Sequence, residues 1–257
     1  MIRSNSIKET VEFFLTKREY PVPKYEVLPR GENDTETLVL EDGTKVPFLW
    51  WRHHSKINAL RSYASDQSLK AIHEYDLQAP DRVCCMNVYS FASVDDSLRQ
   101  HIYREIDTAE YILGSKTKKV TAFMNGNACN LIAVMESGAV ANLELGATMA
   151  SGTEIQCQHK LITTHGMAND RAVDTMTVQP AVSVFSDSPR PYTYTDIESY
   201  AYGLSADDVD RAFCLLNFFN GNDKIEDYIE SGKHVCAVVD AVYKSAELGE
   251  TCEVEEK

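Results

Sequence analysis

The sequence predicts an α+β fold, an open and mostly antiparallel sheet with helices on one face. Three observations predict it. Strand-like segments rich in β-branched residues follow one another from residue 83 to residue 196, broken by a helical pattern only once. Helical patterns with one-sided apolar faces stand at both ends of the run of strands that begins at Val120. Glycine is scarce where a doubly wound nucleotide-binding sheet would need it. Only Gly31 and Gly43 precede Gly114, and nowhere do two glycines sit two residues apart, so no G-x-G fingerprint exists in any register.

Residues 1–81 form an N-terminal helix and hairpin segment packed on the main domain. Ser6 and Glu9 make a capping-box pattern, and Ile7, Val11, Phe14 and Leu15 then share a helical face. Pro21 and Pro23 stop that helix. Segments 24–28 and 35–40 read as strands, Asp42-Gly43 as the turn, and 45–51 as the returning strand. A helix is expected over 66–75. About 80 residues of this kind are too few for a dinucleotide-binding fold of roughly 120–150.

Residues 82–249 form the main domain. A strand over 83–91 leads to a helix over 95–113 closed by Gly114. A strand over 120–124 follows, then a hairpin of 131–135 and 139–145, with Gly138 at a turn position that needs positive φ. Further strands are expected over 153–163, 176–185 and 192–196. Ser205, with Asp208 three residues on, caps a helix that Gly221 ends, and a last helix spans 233–247. The acidic end, 250–257, reads as a frayed tail.

Charge excludes several functions. Thirty-nine acidic against 25 basic residues give a net charge of −14, which repels phosphate backbones and anionic bilayers, so neither nucleic acid nor membrane is an expected partner. No apolar run approaches the roughly 20 residues a bilayer span needs, and the first residues carry no signal-like apolar stretch. Seven cysteines without a C-x-x-C pair read as reduced, buried thiols of a cytoplasmic protein.

The order of elements, with Ile106-Asp-Thr-Ala-Glu-Tyr-Ile-Leu-Gly114, Glu136-Ser-Gly-Ala-Val-Ala-Asn-Leu-Glu-Leu-Gly146 and Asp240-Ala-Val-Tyr-Lys-Ser-Ala-Glu-Leu-Gly249 in sequence, resembles the C-terminal domain of Gfo/Idh/MocA oxidoreductases, NAD(P)-dependent sugar and polyol dehydrogenases. The resemblance covers about residues 82–249, and the stretch 165–170 is similar to a turn of that family. It implies the α+β fold and a homo-oligomer, most simply a dimer, through the sheet face. It also implies a sugar-like ligand and a place in carbohydrate metabolism. The family's Glu-Lys-Pro is missing. Where the family carries Asp-x-x-x-His, one helical turn apart so that His serves as acid/base, this chain has Gln100 and Arg104. Neither an amide nor a guanidinium shuttles protons at neutral pH. The expectation is a pseudoenzyme with no cofactor and no metal, a ligand-binding, oligomerisation or accessory subunit. It acts alone or beside a separate dehydrogenase subunit that binds NAD(P). The alternative is an enzyme of other chemistry on a sugar-like substrate.

The substrate-binding candidates are Gln100, His101, Arg104, Glu105, His159 and His165. Arg104 either offers its planar fork to a carboxylate, phosphate or diol, or pairs with Glu105 or Asp107 on the helix surface. His101 and Glu105, one turn apart, are either an acid/base or metal pair or a solvated helical pair. His159 and His165, near Asp170, are either binding or structural. Trp50-Trp51 with His53-His54 is either a sugar-stacking platform or core.

Overall fold

A computed structural model describes residues 5–29, 34–65, 83–164, 166–170, 181–186, 192–195 and 205–255. Its centre is a nine-stranded sheet in the order β11-β10-β9-β8-β4-β7-β6-β5-β12. The strands are β4 (Val83–Ser93), β5 (Thr117–Asn125), β6 (Ala128–Met135), β7 (Val140–Met149), β8 (Gln156–Thr163), β9 (Gly166–Asn169), β10 (Ala181–Ser186), β11 (Tyr192–Thr195) and β12 (Cys252–Glu253). Every neighbouring pair is antiparallel except β4 with β7. A separate three-stranded antiparallel sheet holds β1 (Tyr25–Leu28), β2 (Thr37–Leu40) and β3 (Lys45–Pro47).

Alternation along the strands sets the two faces. Met86, Val88 and Ala92 of β4, Leu131 and Ala133 of β6, Leu143 and Ala147 of β7 and Leu161 of β8 are buried under α3 (Leu98–Leu113) and α5 (Ile225–Leu248). Gly114 adopts φ 59° and closes α3, because this left-handed conformation costs a glycine nothing. Two helices depart from the expected layer. α4 (Ala206–Phe219), with Ser205 Oγ accepting from Asp208 N at its cap, packs on α1 (Asn5–Lys17) and the 3-10 turn Trp50–His53, not on the large sheet. α2 (Ser55–Ser65) packs on α3 and reaches β9 and β10.

Other elements also fall differently. The strand expected over 45–51 stops at Pro47, since Phe48, Leu49, Trp50 and Trp51 are buried in succession and a strand with one covered face buries only alternate residues. The helix over 95–113 begins at Leu98 because the Asp95 carboxylate is engaged by Ser93 Oγ, Ser151 Oγ and Gly152 N. The last helix starts at Ile225, earlier than expected. The acidic end is no frayed tail at 252–253: Cys252 is buried and pairs with Val120 of β5. Not all thiols are buried, since Cys84 and Cys157 are exposed; all seven are free. The helix expected over 66–75 lies outside the described residues.

One core joins both sheets, running from Val11 and Leu38 through Trp50 to Ile106, Leu143 and Val239. Gly232 of α5 makes the join possible. A Cβ there would stand 2.5 Å from Pro47 Cγ, so only glycine lets β3 lie against the helix. The described part of residues 1–81 packs against α3, α4 and α5, on the helix side. Among the described residues the other face of the large sheet is open and presents Tyr89, Phe123 and Ile132 at 39%, 62% and 40% exposure.

Candidate functional site

Between α3 and β8 lies a buried charged triad. His159 occupies a helix-facing position on β8, in phase with buried Leu161, and is 3% exposed. Its Nε2 donates to Glu105 Oε2 at 3.0 Å and its Nδ1 to Asp170 Oδ2 at 2.6 Å. Asp170 also accepts the His159 backbone N–H, and Ser90 Oγ donates to Glu105 Oε1. Burial alone would lower the His159 pKa. The Asp170 charge and the hydrogen bonds to Asp170 and Glu105 outweigh it and hold the pKa well above the ordinary value. Burial would likewise raise Glu105, but its bond to His159 and the charges of His159, Arg104 and His101 keep it at about 2. The imidazolium therefore spends both N–H groups on carboxylates and has no lone pair left for a substrate proton.

Beside the triad is a cavity of about 40 Å3, lined by His54, Lys56, Arg104, Thr108 and Cys157 as well as the triad. That is room for a carboxylate-sized group, as one water occupies roughly 30 Å3 in the liquid. The Arg104 side chain is only 17% exposed, yet its nearest ionic partner, Glu105 Oε1, is 3.9 Å from its Nε. Among the described residues none of its side-chain N–H groups makes a hydrogen bond. Its guanidinium lies 5.6 Å from the Trp50 ring, which Arg211 also approaches, at 4.1 Å. His54 accepts the Lys56 N–H at Nδ1, and burial, with the charges of Lys56 and Arg104, pushes its pKa down to about 4.

His54 makes stability pH-dependent in a definite direction. Its folded pKa lies below the unfolded 6.5, so the unfolded chain takes up the proton first. Stability falls as pH drops from 6.5 to 4 and levels off below, a loss on the order of 3 kcal/mol. His54→Asn, which keeps an acceptor for Lys56 N, should flatten the melting temperature over that interval. A slope equal to wild type would show that His54 does not cause it.

The structure brings Arg104, Glu105 and His159 together, and adds Asp170. His101 and Glu105 are not a solvated pair, for both are buried at 4% and 1% exposure. His101 Nε2 bonds the Ser90 carbonyl instead. Gln100, half-buried, does not line this cavity, and His165 lies outside the described residues. Asp107 does not pair with Arg104. It accepts from Trp51 Nε1 at 2.7 Å and from Arg52 Nε at 3.0 Å, a buried ion pair. Trp50 and Trp51 are core, 1% and 2% exposed. Sequence reasoning did not single out Lys56, Thr108 or Arg52. Among the described residues no group of three or more His, Cys, Asp or Glu side chains could hold a metal ion.

The sequence matches no family model and no curated protein. Solved structures do resemble it. Levoglucosan dehydrogenase, in complex with NADH and levoglucosan, aligns at TM-score 0.58 and 14% identity, over 82% of this chain and 66% of that one. A putative oxidoreductase from Thermotoga maritima aligns at TM-score 0.58 and 12% identity, over 81% and 63%. A putative myo-inositol dehydrogenase from Sinorhizobium meliloti 1021 gives 0.54 and 13%, over 80% and 64%. The fold is that of the Gfo/Idh/MocA C-terminal domain. The chain spans just under two thirds of the length of these solved structures. No helix among the described residues is long and apolar enough to cross a membrane.

Proposed function

We propose that this chain is a ligand-binding protein of the Gfo/Idh/MocA C-terminal fold that performs no hydride transfer by itself, and that its ligand is a sugar-like acid gripped through Arg104. One observation carries the reading. A guanidinium more than four-fifths buried, without a hydrogen bond among the described residues, lines a carboxylate-sized cavity. It does so at the helical position where the resembling family holds its acid/base histidine. Leaving the N–H groups of such a guanidinium without acceptors is costly, whereas a bidentate carboxylate satisfies them. Lys56 adds charge and Thr108 lines the wall, although the Thr108 hydroxyl donates to the Arg104 carbonyl. The polyol body of the ligand lies outside the cavity mouth, since 40 Å3 excludes a pyranose. The saturated triad acts as a fixed anionic wall that orients Arg104, not as an acid or base.

Part of the proposal is assembly. The open sheet face, with Tyr89, Phe123 and Ile132 exposed, is the surface for a second copy of the chain. A cytoplasmic setting suits seven free thiols.

Thermal shift tests the ligand reading. Gluconate and galacturonate at millimolar concentration should raise the melting temperature by a few degrees, glucose and myo-inositol should not, and Arg104→Gln should abolish the effect. NAD+ and NADP+ should give no shift, and neither should be reduced in the presence of the sugars. A micromolar affinity for either nucleotide, or sugar-acid binding unchanged by Arg104→Gln, would overturn the proposal.

A further inference from the structure

A second cavity, of about 670 Å3, opens between the three-stranded sheet and α5. It lies on the Arg99 and Tyr103 side of α3, and no residue lining it lines the Arg104 cavity. Its size falls within the roughly 300–1,000 Å3 range of small-molecule pockets. Leu28 of β1, Pro47 of β3, and Ile229 and Ala237 of α5 give it an apolar lining. Gly232 fixes the floor, because Pro47 rests where any side chain would stand. A glycine within a helix costs about 1 kcal/mol relative to alanine, so the close approach has a reason to be kept.

The polar groups around this lining are incompletely used. Tyr103 is 1% exposed. Its hydroxyl reaches to 3.2 Å from the Cβ position of residue 232 and has no hydrogen-bond partner among the described residues. Thr35, also lining the cavity, has a buried hydroxyl with no partner. An unsatisfied buried hydroxyl such as that of Thr35 costs on the order of 1–3 kcal/mol, and the unpartnered Tyr103 hydroxyl beside it gives the cavity a second group ready to meet an acceptor. Lys45 of β3 and Lys233 of α5 line the cavity from different elements, and among the described residues neither has an ion pair. Arg99 is already engaged by Asp34 and Asp240.

We infer that this cavity binds a small amphipathic monocarboxylate, its charge held by Lys45 and Lys233 with the Tyr103 hydroxyl donating to it, and its apolar body on Leu28, Pro47 and Ile229. The single charge follows from the surroundings. Asp34, Asp240 and Glu255 also stand at the cavity, so a dianionic phosphate meets more repulsion than a carboxylate. This site goes beyond the sugar-acid reading and does not depend on it.

Isothermal titration with octanoate tests the inference on the full chain, with octanol and acetate as probes that lack the charge or the body. Octanoate should bind, and octanol and acetate at least tenfold more weakly. Lys45→Met with Lys233→Met should weaken octanoate at least tenfold, Tyr103→Phe several-fold, and Ala237→Trp, which fills the cavity, should abolish binding. Arg104→Gln should leave octanoate binding unchanged, which separates failure here from failure of the sugar-acid site. If Ala237→Trp does not fold, as read by circular dichroism, the isosteric Tyr103→Phe decides. No octanoate binding at millimolar concentration, equal binding of octanol, or indifference to Tyr103→Phe and the lysine pair would overturn it.

Discussion

Replacing His159 by alanine should destabilise the protein by about 3–5 kcal/mol, because it strands two buried carboxylates. Glu105 and Asp170 are 1% and 4% exposed, and among the described residues the imidazolium between them is the one side chain that bonds both. At roughly 2–4 °C per kcal/mol for a chain of this size, the melting temperature should fall by about 10 °C. The pH dependence identifies the cause. In wild type, Glu105 is held at about 2, below its ordinary 4.5, so its stabilisation is present above pH 4.5 and lost as pH falls toward 2. The His159 pKa is raised, so its stabilisation is present below 6.5 and lost only as pH rises through its high folded value. Both contributions are whole between about pH 4.5 and 6.5. Without His159 the buried Glu105 loses the bond and charge that offset its burial, so its pKa rises and folding is favoured by acid. The penalty relative to wild type should therefore shrink from pH 7 to pH 5, as read by urea unfolding. A penalty independent of pH would mean that the loss is a packing cavity.

The triad was half legible in the sequence. His159 sits in phase with Cys157 and Leu161 on a strand, and Glu105 sits between Ile102 and Ile106 on the buried side of a helix. A charged residue in a core phase needs a partner, and this signal was available. What periodicity could not supply is the partner, since Glu105 and His159 meet only because β8 lies beside β4, to which α3 is joined. Strand and helix positions after residue 83 were readable because each element buries one face. The N-terminal segment was less so: Trp50–Trp51 is buried all round, which erases the period, and the helix at 55–65 carries no strong cap. The pairing of Cys252 with Val120 depends on where α5 delivers the chain, which no local pattern records.

Charging the open sheet face should convert a dimer to a monomer. Leu131–Met135 is apolar at five successive positions, which predicted that both its faces are covered. Within one chain only Leu131, Ala133 and Met135 are buried, while Ile132 and its neighbour Phe123 on β5 remain open. Residues 5–65 cannot serve as the lid, as their described part lies on the helix side. Nine strands at about 4.8 Å spacing offer a face roughly 40 Å wide, so even strands of moderate length provide the ~800 Å2 per partner of a stable interface. A two-fold interface uses each residue twice. Burying Phe123 and Ile132 is worth about 1.5–3 kcal/mol apiece, so the double substitution Phe123→Glu with Ile132→Lys removes several kcal/mol and adds the cost of desolvating charges. The dissociation constant should rise at least a thousandfold. Sedimentation velocity at ten micromolar should give a dimer for wild type and a monomer for the variant, with an unchanged circular dichroism spectrum. A wild-type monomer at that concentration would refute assembly through this face and leave Tyr89, Phe123 and Ile132 to be covered by another protein.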